Sequence, residues 1–359
     1  MQITRIQLEI SKIQAQVAAL VLSMPKDFFS SKAVEQNNAE QAKTATVSKS
    51  PITIQETPTK NFKETVNQGY TINVLVLKYF PLTKDGNNIN STVTRNTGSS
   101  YGSIWQKTID ITDSLKTAIE QGSRYLGYSD SSSIPSLSYV ISNVKRFEQA
   151  IPAKGEPGSR SSDYSNIFLD LEICKTIKEQ NIKEIWIFSY LEAAESYISG
   201  TNGVPKCETT YFVYAFNYTK SVAEALQTWS RQFESELEAV DKTLFRDIWQ
   251  GPLYPQTQKV IGRCGSPFNP PNARYEKDFA NKNPQKSDCL DWKPNSIGTI
   301  SYITCALWNC DPLQYAIWNW QNLPGRGNTK TYQGKQLRNW WDIHGDFDNV
   351  MSSNKKLTL

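Results

Sequence analysis

The sequence predicts an α/β fold: a mainly parallel sheet with flanking helices, followed by a loop-rich C-terminal lobe that disulfides hold together. Segments with strand patterns alternate with helical segments of about ten or more residues, which is typical of a parallel sheet. After about Leu244 the composition changes to one rich in Pro, Asn, Cys and Trp, with seven of the ten Trp residues. At 359 residues the chain is long enough to bury a substantial core.

Periodicity and composition divide the chain into an amphipathic helix, a polar linker, a single compound globular domain and a short tail. Their bounds are 1–24, 25–69, 70–345 and 346–359. Within the globular domain, residues 70–243 form the α/β body and residues 244–345 form the Cys/Trp-rich lobe.

The N-terminal helix carries a heptad pattern. Apolar residues from Ile3 to Met24 alternate at spacings of three and four, which is typical of a coiled-coil seam. We therefore expect a homo-oligomer that forms through residues 3–24. Because Arg5 and Lys12 precede the short apolar run VAALVLSM, a targeting segment is the alternative interpretation.

The globular body begins with a strand and then alternates between strands and helices. Alternating patterns and apolar runs predict strands in INVLVLKYF (72–80), LSYVISNVKRF (137–147), IKEIWIFSY (182–190) and ETTYFVYAFNY (208–218). Helical patterns cover ITDSLKTAIEQGSRYLGY (111–128), SDYSNIFLDLEICKTIKEQN (162–181) and residues 221–240. A long loop is predicted for KDGNNINSTVTRNTGSSYGS (84–103). In the lobe, the helical pattern persists in DPLQYAIWNWQNL (311–323) and QLRNWWDI (336–343).

The six cysteines predict disulfides. They form no CxxC pair, so a structural zinc site is not expected, and two or three disulfides would imply an oxidising compartment. Cys264 and Cys289 flank a Pro-rich loop that one bridge could close. Cys174 lies inside a helical pattern and is the best candidate for a free buried thiol, so the pairing stays open.

Composition and missing motifs exclude several partners. The net charge of +4 is spread along the chain, without the basic surface that a nucleic-acid-binding protein carries. No run approaches the roughly 18 apolar residues that a membrane span needs. No GxxxxGK[ST], GxGxxG or HExxH motif is present, which argues against common NTPase, dinucleotide and zinc-protease sites. We therefore expect no cofactor.

Polar residues follow two predicted strands at the point where each strand ends. Glu195 comes shortly after IKEIWIFSY, and Asn217 and Tyr218 end ETTYFVYAFNY. Ligands in open α/β sheets bind outside the carboxyl ends of the strands. These side chains are therefore candidates if the two strands are parallel neighbours. If the second strand is antiparallel, the two sets separate.

The segment EALQTWSRQFESEL (224–237) places Gln227, Arg231 and Glu234 on one face of a helix. Glu224 has capping-box spacing and is expected to cap the helix start. Arg cannot donate a lone pair and Gln is a poor zinc ligand, so no metal is expected here. Two interpretations remain. Arg231 and Glu234 form a pair on a solvated face, or Gln227 and Arg231 bind a ligand with Arg231 as a fixed positive charge.

His344 is the only histidine of the chain. Any Ser/His/Asp or Cys/His system would have to use it as its base. With Glu195 or Glu234 it could complete a carboxylate-based proton-transfer site that needs no metal. Trp340 lies shortly before it and is a candidate ligand platform, because aromatic rings offer large contact areas with few rotatable bonds.

The order of motifs resembles a group of mostly secreted, uncharacterised microbial proteins. The matching pieces include VLVLKYFPLTKDG, IKEIWIFSYLEAAES, FVYAFNYTKSVAEALQTWSRQFESEL, RCGSPFNPPNARYEKDF and LRNWWDIHGDF. The resemblance covers roughly residues 70–345 and implies an extracytoplasmic setting and a single compound domain, without an established activity. Its members often carry His at the positions of Gln227 and Arg231. The resemblance therefore implies that this chain has lost two metal ligands.

These observations favour a secreted or cell-surface binding protein, or a pseudoenzyme, with a glycan or protein ligand. The candidate ligand-binding residues are Asn217, Tyr218, Gln227, Arg231 and Trp340. The alternative is a hydrolase with a metal-independent carboxylate site, whose catalytic residues would be Glu195, Glu234 and His344. A cytoplasmic location is the alternative if the cysteines are reduced.

Overall fold

The computed structural model describes residues 69–94, 99–154, 162–169, 171–191, 195–250, 263–353 and 356–359. All of them belong to one unit, Lys63–Leu359. The expected helix of residues 1–24 and nearly all of the expected linker lie outside the described residues. The heptad seam and oligomerisation therefore stay predictions. None of the helices in the described part combines the length and the hydropathy that crossing a membrane requires.

A five-stranded sheet lies at the centre of the described residues. Its strands are β1 (Tyr70–Tyr79), β2 (Leu137–Phe147), β3 (Ile182–Ser189), β4 (Glu195–Ile198) and β5 (Phe212–Asn217), in the spatial order β2-β1-β3-β5-β4. The pairs β1–β2, β1–β3 and β3–β5 are parallel, and β4 pairs with β5 antiparallel. The predicted mainly parallel α/β sheet is confirmed. Its strands form where β-branched, aromatic and other apolar residues follow one another.

The short edge strand β4 (Glu195–Ile198) is not predicted from the sequence. It has four residues, all only partly buried, so its apolar pattern is too short to predict a strand. The antiparallel β4 lies at the edge of the sheet beyond β5, which leaves β3 and β5 as direct neighbours. These two strands are parallel, with Ser189 paired to Asn217. The carboxyl ends of these two strands therefore meet at one edge of the sheet.

Helices cover both faces of the sheet. They are α1 (Ser91–Thr94), α2 (Tyr101–Gly122), α3 (Tyr164–Leu169), α4 (Ile173–Gln180), α5 (Val222–Lys242), α6 (Pro312–Gln321), α7 (Trp341–Gly345) and α8 (Phe347–Ser352). The first three residues of α2 lie in the predicted loop, because Ser100 caps that helix. The helix predicted over 162–181 is split into α3 and α4, since Glu172 adopts a left-handed conformation with a φ of 42°.

The lobe adds short elements and shares its core with one sheet face. It contains a π-helix (Thr243–Gln250) and two 3-10 helices (Cys289–Asp291 and Cys305–Trp308). It also contains two small antiparallel sheets, formed by Gln285–Ser287 with Ser301–Ile303 and by Thr331–Tyr332 with Lys335–Gln336. One core cluster contains residues of α2, α5, α6 and the lobe, and a second cluster contains residues of α3 and α4 on the other face.

The tryptophans of the lobe are core residues. Each is at most 2 % exposed: Trp249, Trp292, Trp308, Trp318, Trp320, Trp340 and Trp341. Their indole rings therefore stabilise the fold by burying apolar area. They do not present exposed faces to a sugar or a protein partner, so the expectation that Trp340 is a ligand platform is wrong.

Three disulfides join the cysteines: Cys174–Cys207, Cys264–Cys289 and Cys305–Cys310. The expected closure of the Pro-rich loop by Cys264 and Cys289 is confirmed. The expectation that Cys174 is a free buried thiol is wrong, because Cys174 is exposed on α4 and bonded to Cys207. Disulfides persist in oxidising compartments, so this covalent pattern fits a chain outside the cytoplasm.

Removing the Cys264–Cys289 bridge with Cys264→Ala and Cys289→Ala is expected to lower the free energy of unfolding by about 3.5 kcal/mol. The bridge spans 25 residues, and the entropy that it removes from the unfolded chain grows with loop length. The matched control, Cys305→Ala with Cys310→Ala, opens a span of 5 residues and should cost about 2 kcal/mol. Urea unfolding measures both losses, and a larger loss for the control would contradict the expected order.

Candidate functional site

A small polar cleft opens at the carboxyl end of β5. Its volume is about 180 Å³, and its walls come from the end of β5, the first turns of α5 and the lobe. Its polar lining residues are Asn217, Lys220, Glu224, Gln227, Thr228, Arg231 and Lys277. The structure therefore brings together Asn217, Gln227 and Arg231, which the sequence predicts as ligand-binding residues.

Asn217 holds the turn between β5 and α5. Its Oδ1 accepts hydrogen bonds from the backbone N and from the Oγ1 of Thr219, both at 2.7 Å. Its Nδ2 donates to the carbonyl oxygen of Tyr190 at 3.3 Å and so ties β5 to the end of β3. Asn217 therefore positions the rim of the cleft and has little capacity left for a ligand.

Glu224 caps α5, as its spacing predicts. Its Oε2 accepts from the backbone N of Ser221 at 2.9 Å, and the Oγ of Ser221 accepts from the backbone N of Glu224 at 3.2 Å. Burial alone would raise the pKa of Glu224, but the hydrogen bonds from Ser221 and the charge of Lys220 lower it. The carboxylate thus stays ionised and is committed to the helix start.

Gln227 is the unusual side chain of the cleft. It is only 8 % exposed, it lines the cleft, and its amide forms no hydrogen bond with any residue that the structure describes. Its amide atoms are not sealed from solvent, so they open into the cleft. Its two donors and its acceptor are therefore free to bind a ligand.

Arg231 faces the cleft and stacks on a ring from the lobe. Its guanidinium lies 4.9 Å from the ring centroid of Phe268, a cation–π distance that holds the flat group in place. The expected pair with Glu234 is wrong, because no ion pair joins the two residues in the described structure. Glu234 instead accepts a hydrogen bond from the Nε2 of Gln250 at 2.8 Å, and burial raises the pKa of Glu234 to about 8.

The cleft is cationic. Arg231 and Lys277 bring positive charge, while Lys220 is paired at 3.7 Å with Glu224, the one acidic residue in its described lining. A concave surface lined by one sign of charge attracts ions of the opposite sign. The guanidinium of Arg231 adds planar donors that match a carboxylate.

Three other candidates lie away from the cleft. Glu195 accepts a hydrogen bond from the OH of Tyr164 at 2.8 Å, and Tyr164 belongs to the core on the face opposite α5. Tyr218 is 1 % exposed beneath Phe80. Trp340 is fully buried, and its Nε1 donates to the carbonyl oxygen of Leu357. None of the three is available to a ligand in the cleft.

His344 is enclosed between two buried carboxylates. Its Nε2 lies 2.6 Å from the Oε1 of Glu184, and its Nδ1 lies 2.9 Å from the Oε2 of Glu236. The same Glu184 accepts hydrogen bonds from the OH of Tyr139 at 2.7 Å and from the Nε1 of Trp229 at 3.0 Å. His344, Glu184 and Glu236 are each at most 2 % exposed, so this cluster is sealed inside the core.

The proton of this cluster stays on the imidazole at neutral pH. Burial alone would lower the pKa of His344, but the charges and hydrogen bonds of Glu236 and Glu184 raise it to about 10. Burial also raises the pKa of Glu236, which His344 counteracts. The imidazolium is therefore part of a buried ionic network and not a base that is poised near neutral pH.

The expected catalytic set of Glu195, Glu234 and His344 does not converge. Glu195 lies on one face of the sheet, and Glu234 lies on α5, which packs on the other face. Glu184 is paired with Phe212, five residues before Asn217, so the His344 cluster lies roughly 16 Å from the cleft along β5. Glu192, two residues after the segment IKEIWIFSY in the sequence, lies outside the described residues.

Several important residues were not predicted from the sequence. Glu184 and Glu236 had a signal, because each interrupts an apolar pattern that is otherwise buried, in β3 and on the inner face of α5. Lys277 belongs to the lobe and lines the cleft, and its own backbone has a left-handed φ of 66°. Its place depends on long-range packing and has no local signal.

No protein-family model matches the chain, and no curated protein is similar to it. The function therefore has to be inferred from the cleft itself. Within the part of the chain that the structure describes, no group of three or more His, Cys, Asp and Glu residues could hold a metal ion. The described cleft offers cationic groups and a free amide, while its carboxylate serves the helix cap. This set of groups is suited to binding an anion.

Proposed function

We propose that this chain is an extracytoplasmic binding protein whose cleft holds one acidic sugar residue of a glycan. The observation that carries the proposal is the amide of Gln227, which has no hydrogen-bond partner in the described structure and opens into a cleft with Arg231. A ligand with both a carboxylate and hydroxyl groups would satisfy the guanidinium and the amide together.

The size of the cleft favours a sugar residue at the end of a glycan chain. Its volume of about 180 Å³ is below the roughly 300 to 1,000 Å³ of sites for drug-sized ligands. A single acidic sugar ring is a better match for this space than an internal stretch of a chain. Lys277 then adds attraction at longer range, which speeds association at low ionic strength.

A binding role also agrees with the resemblance to mostly secreted microbial proteins. In that resemblance, Gln227 and Arg231 take positions that often carry His. A guanidinium is permanently charged and repels a cation, so it would replace a metal by a fixed positive charge. The three disulfides support an extracytoplasmic location. We therefore propose a pseudoenzyme that retains a cleft and uses it for binding.

Arg231→Gln is expected to weaken binding of an acidic glycan by about 10- to 100-fold, because a charge-assisted hydrogen bond contributes roughly 1.5 to 3 kcal/mol. The purified chain is first applied to an array of uronic-acid-terminated and neutral glycans. The affinity of the best acidic glycan is then measured by calorimetry for the wild type and the variant.

Lys242→Gln is the matched control, because it removes the same charge from an exposed position at the far end of α5. It should change the affinity by less than about twofold, since exposed charges away from a site contribute little. Equal losses in both variants would show that only net charge matters. Binding that favours neutral glycans would contradict the proposal.

A further inference from the structure

Lys78 is a buried lysine near the carboxyl end of β1. Its side chain is only 3 % exposed, although lysine is almost never buried without a partner. Within the described residues its Nζ forms no hydrogen bond and no ion pair. The proposed cleft function does not use this amine, so it calls for a separate explanation.

Aromatic rings surround the amine. Nζ lies 4.7 Å from the ring centroid of Trp105 and 5.8 Å from that of Phe188. Arg146, whose guanidinium lies 6.0 Å from the same Trp105 ring, is paired with Glu148. Burial lowers the pKa of Lys78 to about 8, and the charge of Asp113 counteracts this only in part.

The position of Lys78 in the sheet is one where α/β proteins bind ligands. The strand order reverses between β1 and β3, with β2 on one side of β1 and β3 on the other. Lys78 on β1 is paired with Phe188 on β3, so it lies at this reversal and near the carboxyl ends of both strands. Ligands in open sheets bind in the crevice at such a point.

The residues paired with Lys78 across the neighbouring strands extend to the cleft. Phe188 is paired in turn with Phe216 on β5, and Phe216 lines the cleft. With neighbouring strands about 4.8 Å apart, the backbone of Lys78 lies roughly 10 Å from that of Phe216. The amine therefore belongs to the functional edge of the sheet and projects on the face that carries α2 and α5.

We propose that Lys78 is a covalent site for small aldehydes and ketones, with which it forms an imine. The neutral amine attacks the carbonyl carbon and gives a carbinolamine. The carbonyl oxygen then leaves as water with the two protons of the amine, and a C=N bond replaces the C=O bond. The step needs no oxidant or reductant.

The chemical reason is that a neutral amine is a nucleophile and an ammonium is not. Lysines become reactive when a dry or cationic environment removes the proton. At pH 7 roughly a tenth of an amine with a pKa of 8 is neutral, against fewer than about one in a thousand for an ordinary lysine.

The test uses the wild-type chain with disulfides intact. It is exposed briefly to a limiting amount of propanal with sodium cyanoborohydride, and the alkylated lysines are located by peptide mass spectrometry. We expect Lys78 to react at least 10-fold faster than the exposed residues Lys282 and Lys242, which serve as internal controls. Its rate should level off above pH 8, while the rates of the controls keep rising.

Alkylation of the controls with Lys78 unmodified, or equal rates at all three lysines, would overturn the proposal. A Lys78→Met variant should lose the fast phase of total incorporation and keep the slow phase. If that variant does not fold, the peptide map of the wild type still decides. The result is independent of glycan binding, because alkylation does not require a ligand in the cleft.

Discussion

Replacing His344 with Gln is expected to lower the free energy of unfolding by about 3 to 5 kcal/mol at pH 6, because it leaves buried carboxylates without their counter-ion. Glu184 and Glu236 both contact the imidazole and are almost completely buried. The tyrosine and tryptophan donors that bond Glu184 also depend on this geometry. Urea unfolding at pH 6 measures the loss.

A double substitution tests the stated cause. If the loss comes from an unpaired carboxylate, Glu236→Gln should restore part of the stability in the His344→Gln chain, although it destabilises the wild type. Such non-additivity is expected for groups in one network. Lys242→Gln, an exposed change, should stay within about 0.5 kcal/mol of the wild type. A His344→Gln loss of the same size as this control would show that the cluster adds no stability.

The second large effect is a dependence on pH that His344 causes. Its pKa is raised from 6.5 to about 10 in the folded chain. The folded state therefore binds its proton more tightly than the unfolded state does. The resulting stability is fully present below about pH 6.5 and is lost as the pH rises through 10. The stability advantage of the wild type over His344→Gln should fall by about 1.4 kcal/mol per pH unit in this window.

The quantity to measure is the difference between the two chains. Burial lowers the pKa values of Lys78 and Lys330 to about 8, so these groups favour the folded state as the pH rises and partly mask the slope of the wild type alone. They are present in both chains and cancel in the difference. Between pH 6.5 and 9.5 the advantage should shrink by about 3.5 kcal/mol, because the slope is smaller near each pKa. An advantage that stays constant over this range would mean that His344 is neutral in the fold.

Local patterns predicted most of the sheet because β1, β3 and β5 are almost wholly buried apolar runs and the half-exposed β2 alternates. The segment predicted over 137–147 coincides with β2, and the apolar runs mark β1 and β3 closely. The capping box of Glu224 was also predictable, since it depends only on residues close in sequence. Gln227 and Arg231 could be placed near the sheet edge because they follow a parallel strand on a helix of known period.

Long-range packing decided what local patterns missed. His344 looked like a free base because its two carboxylates come from β3 and α5, both distant in sequence. The pattern around Cys174 indicated a buried thiol, but its partner Cys207 comes from a segment beyond β3 and β4. Trp340 looked like a platform because an aromatic residue in the core and one on a surface have the same local pattern.

The central claim is that Arg231 and Gln227 hold an anionic sugar in the cleft. The most direct measurement is a crystal structure of the wild-type chain soaked with glucuronate, with an Arg231→Gln crystal soaked in the same way. The account predicts a carboxylate about 2.7 to 2.9 Å from the guanidinium of Arg231 and a sugar oxygen in hydrogen-bonding distance of the amide of Gln227. It also predicts an empty cleft in the variant. Glucuronate bound only elsewhere on the chain, or bound in the same way in both crystals, would contradict the claim.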